Sequence, residues 1–250
     1  MKKLVLLLLN NIVVNRFLIL IKQDDFIKRY INNWSRVKVN KNKTLQENVG
    51  FSHSEKVNVA VKLIHDYVQE TEKKYLKSSA KILDIGCGVG LYLKDFAAKE
   101  LYGTDLSSDF LAECKQLIPQ AKLFQGDYLK INFEKSSFDL IYSISVIEYI
   151  SPSKIQSFFN KVYSEMKPGG ILLIQYPHAL KTFDKWYADL SYISYTPDKI
   201  EQLIKEKFKI LVHEHSYDKR KVSGVDKISH SKKNEKSFCN GMILIAQKNT

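Results

Sequence analysis

Cysteine is scarce in this chain of 250 residues: Cys87, Cys114 and Cys239 are the whole complement, and no two form a CxxC pair. Three cysteines cannot build a disulfide framework, so a stapled secreted scaffold is excluded and cysteine usage points to a reducing, cytoplasmic setting. The same count excludes the classical zinc sites, and no metal ligand set is expected. With 10 glycines and 5 prolines the chain is neither collagen-like nor of low complexity. Arginine is limited to Arg16, Arg29, Arg36 and Arg220, so residues 81–200 contain none. Arginine is the side chain suited to bidentate phosphate recognition, and its absence there argues against a nucleic-acid groove in the middle of the chain.

A long hydrophobic run is missing too. Leu4 to Leu9 follow Met-Lys-Lys as in a signal peptide, but Asn10, Asn11, Asn15 and Arg16 interrupt before Phe17–Ile21 resumes. A spanning helix needs about 20 nearly unbroken apolar residues, and no small-residue cleavage site follows. As a helix this segment gathers Asn11, Asn15 and Lys22 on one stripe and leaves the rest apolar. Three readings stay open for residues 1–23: a helix packed on its own domain or on a partner, a membrane-interface anchor that makes the protein peripheral, or an uncleaved targeting segment.

What the chain has is lysine, unevenly spread. The net charge of +12 divides into +8 for residues 1–80, −1 for residues 81–200 and +5 for residues 201–250. Basic flanks around a neutral middle read first as a solvated coat, with contact to an acidic surface as the alternative. The length suits one well-buried α/β domain and is marginal for two.

Residues 24–37 and 52–76 carry helical spacing. In the second, Val57, Ala60, Val61, Ile64 and Val68 recur at threes and fours, and Ser52 with Glu55 forms a capping signature. From Lys81 the rhythm changes. Apolar runs at Lys81–Ile85, Leu101–Gly103, Ala121–Gln125, Phe138–Ile144 and Ile171–Gln175 alternate with helix-length segments, the pattern of βαβ units on a parallel sheet. A helix over Ser153–Lys167 is expected to stop at Pro168-Gly169-Gly170, and Phe208–His213 and Met242–Ala246 close the chain around a Lys- and Ser-rich loop at 217–238.

The chemistry gathers at strand ends. Ile82-Leu-Asp84-Ile-Gly86-Cys87-Gly88-Val-Gly90 sets a carboxylate at the end of the first strand, with glycines at alternate positions of the following turn. Such glycines allow a ligand close to the main chain, and a helix after them would aim its N–H groups at the same place. A dinucleotide fingerprint needs glycine at position 91, which is leucine; the dehydrogenase reading fails there, and Asp84 suits an amino group better than a diphosphate. Twenty-one residues on, Asp105 ends the second strand, placed to accept hydrogen bonds from ribose hydroxyls. Asp127, in Gln125-Gly126-Asp127-Tyr128, ends the third and suits the exocyclic amine of adenine.

This series resembles the class I S-adenosylmethionine-dependent methyltransferases, in particular their small-molecule type 11/12/25 group, over about residues 52–176 plus the closing strands. Ile82–Gly90 looks like the glycine-rich motif, Asp105 like the ribose acid and Asp127 like the adenine acid. Ser136 to Ile150 resembles the fourth-strand motif, with Glu148-Tyr149 where Glu-His is commoner. The resemblance implies a doubly wound, Rossmann-like α/β sheet of seven strands with an antiparallel last strand near Asn240–Gln247. It also implies a helical extension at 1–51 covering the cofactor, to which Tyr30, Trp34 or His53 could contribute, and a methyltransferase domain over 52–250. The implied cofactor is S-adenosylmethionine, held by Asp84, Gly86, Cys87, Gly88, Gly90, Asp105, Leu106, Gly126, Asp127, Tyr128 and Ser143.

Methyl transfer from a sulfonium is an in-line displacement in which proximity and alignment matter most, and a base is needed only for a protonated acceptor. The candidates are His178, first, then Glu148 and Tyr149, with Tyr176 behind them. The acceptor is expected to be a small molecule. No Asn/Asp-Pro-Pro-Tyr, Pro-Cys or paired-glutamate signature marks a nucleic-acid-base, cytosine-C5 or arginine methyltransferase. Residues 178–200, with Phe183, Trp186, Tyr187, Tyr192 and Tyr195, read as an acceptor lid preferring apolar or ring-shaped groups, or equally as aromatics packed in a core. An RNA-modifying enzyme using the basic flanks, and a non-catalytic cofactor-binding partner subunit, remain the alternatives. Oligomeric state is open.

Overall fold

From Val61 to Thr71, every third and fourth residue of the first described helix faces inward. In the computed structural model, which describes residues 35–44, 46, 55–96, 100–177, 195–215 and 241–250, helix α1 spans Glu55–Tyr75 and buries Val61, Ile64, Tyr67 and Val68. Residues 24–34 of the expected helix at 24–37, the apolar segment 1–23, the loop 217–238, and Tyr30, Trp34 and His53 lie outside the described residues, as does most of the proposed lid; residues 35–37, where that helix is expected to end, are described and form a turn rather than helix.

Strand β1 (Lys81–Ile85) is buried from Ile82 onward, as a central parallel strand must be, with helices expected on both its faces. Strands β2 (Glu100–Asp105), β3 (Lys122–Gln125), β4 (Phe138–Ile144) and β5 (Met166–Pro177) come next, with helix α2 (Ser108–Leu117) between β2 and β3 and α3 (Ile155–Glu165) between β4 and β5. Helix α4 (Pro197–Ile204), β6 (Phe208–His215) and β7 (Gly241–Lys248) complete the described chain. The seven strands form one sheet in the order β3-β2-β1-β4-β5-β7-β6, with β7 antiparallel to both neighbours and the remaining pairs parallel. The chain winds outward from β1 to β3 and then returns to place β4 on the other side of β1. That reversal opens a crevice at the carboxyl ends of β1 and β4.

Two apolar clusters sandwich the sheet. Ile155, Phe158, Phe159 and Val162 of α3 face one side, and α1 with Phe96, Cys114 and Ile118 covers the other. Glu165, at the inner end of α3, is buried yet fully engaged: Tyr128 Oη donates to it at 2.6 Å, Lys161 Nζ at 2.5 Å and the Phe133 N–H at 3.4 Å.

Two expectations of local structure are corrected. Pro168-Gly169-Gly170 does not precede the fifth strand but lies within it. The ladder pairs Phe138 with Met166 and then Leu140 with Ile171, a bulge taken up by Gly169 at φ +74°. Gly170 packs so closely that a Cβ would stand 3.0 Å from Lys167 O and 3.2 Å from Phe138 O. The second concerns the glycine turn after β1. Among the described residues it leads into one turn of 3-10 helix, Leu93–Phe96, rather than into an α-helix aimed at the ligand.

Candidate functional site

The crevice at the β1/β4 switch point deepens into a cavity of about 200 Å³. Its floor is the turn Asp84-Ile-Gly-Cys-Gly88, one wall is Thr104-Asp105-Leu106 with Phe110, and another is Gly126 to Leu129. Ser145, Val146, Tyr149 and Ile150 close the side next to β4, with Leu91, Tyr92, Ile144 and Phe158 filling the remainder. Most of the lining is apolar. Its charged groups, among the described residues, are three carboxylates, Asp84, Asp105 and Asp127, with no Lys, Arg or His.

Asp84 is buried at the end of β1, 3% exposed. Burial pushes its carboxyl up to about 8; the Tyr142 hydroxyl across the β1–β4 register lowers it in part, and the neighbouring Asp105 carboxylate adds to the rise. Tyr142 lies close enough to act on Asp84 without meeting the geometry of a hydrogen bond. A buried carboxyl with no cation beside it is a demanding arrangement, and a ligand ammonium is the group that relieves it.

The glycine turn is shaped by its neighbours. Gly86 sits at φ +76°, and a Cβ there would fall 2.3 Å from Val146 Cγ2. Only glycine allows that crossing of the β1 and β4 loops. The turn's amides are already engaged: Gly86 and Cys87 N–H donate to Thr104 O at 2.8 and 2.9 Å, and Gly88 N–H donates to Asp105 Oδ2 at 2.9 Å. Asp105 thus ties the end of β2 to the glycine turn, and its other oxygen accepts from Ser107 N at 2.8 Å. Burial raises its pKa while the N–H groups of Ser107, Gly88 and Leu106 hold it down. Further along, Gly126 takes φ +139° and donates to Asp105 O, and Asp127 Oδ1 caps the next 3-10 turn by accepting from Leu129 N at 3.0 Å.

The residues named from sequence therefore fall into groups. Asp84, Gly86, Cys87, Gly88, Asp105, Leu106, Gly126, Asp127, Tyr128 and Tyr149 line one cavity. Gly90 and Ser143 are not in its lining. Gly90, at φ +83°, makes room for Cys114 Sγ, 2.8 Å from where a Cβ would be, and Ser143 Oγ donates to Ile85 O at 3.3 Å behind the turn. Glu148 is also outside the lining. It is buried on the 3-10 turn Ile147–Tyr149, its Oε2 meets no partner, and burial pushes it up to about 8. Tyr176 is buried and bonded to His213 Nε2 at 2.8 Å, and His213 Nδ1 meets Glu201 Oε1 at 2.6 Å. His178 lies outside the described residues. From the proposed lid, Tyr195 is described; its hydroxyl donates to Ile150 O at 2.6 Å and braces the cavity rim.

Sequence reasoning missed Tyr92, Ser145, Val146 and Ile150. No residue pattern sets Tyr92 or Val146 apart from their apolar neighbours, and Ser145 stands at φ +56°, a strain that no residue pattern announces. Among the described residues no three His, Cys, Asp or Glu side chains come together as a metal site.

Residues 82–170 match the family profile described as "Methyltransferase domain". Among curated proteins, the chain is 28% identical over 106 residues to trans-aconitate 2-methyltransferase of Variovorax paradoxus, covering 41% of this chain and 40% of that protein. It is 31% identical over 105 residues to phosphoethanolamine N-methyltransferase of Plasmodium falciparum, covering 40% of each. The matched region spans half or less of the length of such relatives. Among solved structures, an S-adenosylmethionine-dependent methyltransferase from Clostridium acetobutylicum superposes with a TM-score of 0.58 at 17% identity, over 79% of this chain and 94% of that one. That likeness concerns the fold.

Proposed function

We propose that this chain, which belongs to the class I S-adenosylmethionine-dependent methyltransferases, methylates a small-molecule acceptor at the β4 side of the cavity. The observation that carries the reading is the succession of Asp84, Asp105 and Asp127 at the ends of β1, β2 and β3 around one cavity without a counter-cation among its described lining residues. That set fits the cofactor: a buried acid for its ammonium, a second acid at the end of β2 for its ribose and a third for its adenine amine. The apolar walls of Leu106, Phe110 and Leu129 would flank a planar base.

When bound, the cofactor supplies a methyl group made electrophilic by its sulfonium. The protein's part is to align and to exclude water. Asp84 anchors one end of the ligand, while Asp105 is held rigid by Gly88 and Ser107 so that its position does not depend on the ligand. Val146, Ile150 and Phe158 keep the acceptor side dry. Tyr149 is the cavity-lining candidate for contact with the acceptor. Glu148, next to it, is pushed up to about 8 by burial and so holds a proton at neutral pH. His178 remains a further candidate base. The relatives that carry a substrate in their names act on trans-aconitate, sterols and phosphoethanolamine, all small molecules, and an uncharged lining on the β4 side suits an apolar or ring-shaped acceptor.

Calorimetric titration with S-adenosylmethionine, S-adenosylhomocysteine, NADH and ATP tests the reading. Binding of the first two alone, lost in Asp105→Ala, is expected. A folded sample that binds neither would overturn it and bring forward the non-catalytic subunit.

A further inference from the structure

Directly after β4 the chain takes a conformation that serine rarely adopts. Ser145 stands at φ +56°, in the left-handed region, and it lines the cavity half-buried. A single residue of β5 holds it there. Ser145 N–H donates to Gln175 O at 3.0 Å, and Ser145 Oγ donates to Gln175 Oε1 at 2.8 Å. Gln175 is itself buried, 5% exposed, and is not part of the cavity lining. Backbone strain that persists because a neighbouring strand over-determines it marks a position where function is to be sought.

The clamp sets the polarity of the hydroxyl. A serine hydroxyl has one proton to donate and two lone pairs with which to accept. The proton of Ser145 is committed to Gln175 Oε1, and turning it away would leave that buried oxygen without its partner. Toward a ligand, Ser145 Oγ is therefore an acceptor. The charged groups of the lining point the same way, since among the described residues they are all acids, with no Lys, Arg or His to receive an anion.

On the reading above that the acceptor sits at the β4 side, we infer that the methyl acceptor carries a hydroxyl or an amine whose O–H or N–H is received by Ser145 Oγ. Gln175 is the positioning residue that fixes the direction of this bond. Ser145 is a binding residue and takes no proton in the reaction. The acceptor class narrows from apolar or ring-shaped molecules in general to those with a hydrogen-bond donor, and molecules that offer only a carboxylate, a phosphate or an ether at that point are disfavoured.

Fluorine NMR titration of the protein saturated with S-adenosylhomocysteine tests this with two ring probes, 4-fluorophenol, which donates, and 4-fluoroanisole, which only accepts. Wild type should bind the phenol about twofold to tenfold more tightly than the anisole, the range for one neutral hydrogen bond. Ser145→Gly takes φ +56° without strain and lacks the hydroxyl, so there the preference should vanish. Gln175→Leu frees the Ser145 proton, and the anisole should then gain on the phenol; a merely structural Gln175 would weaken both probes alike. Wild type without the preference, or Ser145→Gly that keeps it, overturns the inference, and an unchanged ratio in Gln175→Leu overturns the role given to Gln175. Protein that binds S-adenosylhomocysteine but neither probe overturns the placing of the acceptor at the β4 side, and protein that does not bind S-adenosylhomocysteine overturns the cofactor reading itself.

Discussion

Replacing Asp84 by asparagine removes the ionisable group with the least support in the cavity, and the effect on stability can be worked from its surroundings. The carboxyl titrates near 3.8 when the chain is unfolded and at about 8 when folded, because burial penalises the anion. For an acid raised in this way the penalty is absent below the unfolded pKa, grows as pH rises between the two values and is constant above the folded one. At about 1.4 kcal/mol per pH unit, Asp84 lowers the stability of the ligand-free protein by about 2 kcal/mol at pH 5 and about 4 kcal/mol at pH 7. The amide of the variant has nothing to titrate. Urea unfolding of wild type and Asp84→Asn at pH 5, 6 and 7 should give stability curves that diverge, the variant gaining about 1.3 kcal/mol per pH unit relative to wild type. The same variant should fail to bind cofactor, since it keeps the shape of the site but not its charge. In the wild type, cofactor binding should release a proton and strengthen as pH rises toward 8. Parallel stability curves for the two proteins would refute the argument, because Asp84 would then be ionised and compensated in the folded state.

Gly86→Ala should lose cofactor binding and at least about 2 kcal/mol of stability, since a methyl group at φ +76° is strained and would stand 2.3 Å from Val146 Cγ2; thermal melting with calorimetry reads both effects. Glu165→Gln should cost about 1–3 kcal/mol in urea unfolding. It weakens the bonds from Lys161 and Tyr128, while cofactor affinity should change little because Glu165 stands behind the cavity wall.

Much of the fold is written in short apolar runs. Lys81–Ile85 and Phe138–Ile144 become β1 and β4 with the bounds their composition suggests, because a central parallel strand is buried on both faces and contrasts sharply with its flanks. β3 was legible only as an apolar stretch, although it is an edge strand that leaves Phe124 38% exposed. What misled was glycine. Gly169 and Gly170 read as a turn, since both tight turns and β-bulges ask for the same freedom, and only the pairing with β4 separates them. The helix expected after Gly90 failed for a similar reason: alternate glycines specify a turn but leave the next element undetermined. At the site, the acids were legible because a carboxylate at a strand end is out of place unless it has work there. Tyr92, Val146 and Ser145 were not, because their roles depend on which loops cross, and crossing is a property of the sheet order.

That crossing explains a division of labour in the cavity. In a glycine-rich turn that cradles a phosphate, free amides face the ligand. In this turn they face Thr104 and Asp105 instead, tying the β1 turn to the end of β2. The turn is thereby stiff before any ligand arrives, and Gly86 must stay bare because Val146 presses on it from the β4 loop. Ligand recognition is left to side chains, and the charged ones supplied by the described lining are all acids. Such a cavity disfavours phosphates and other strong anions, which agrees with the absence of glycine at position 91 and with the lack of arginine between residues 81 and 200. It favours a ligand whose positive charge meets Asp84 and which carries no strong anion into the acidic lining. An α-amino acid joined to a nucleoside meets both conditions, and a diphosphate-linked dinucleotide meets neither.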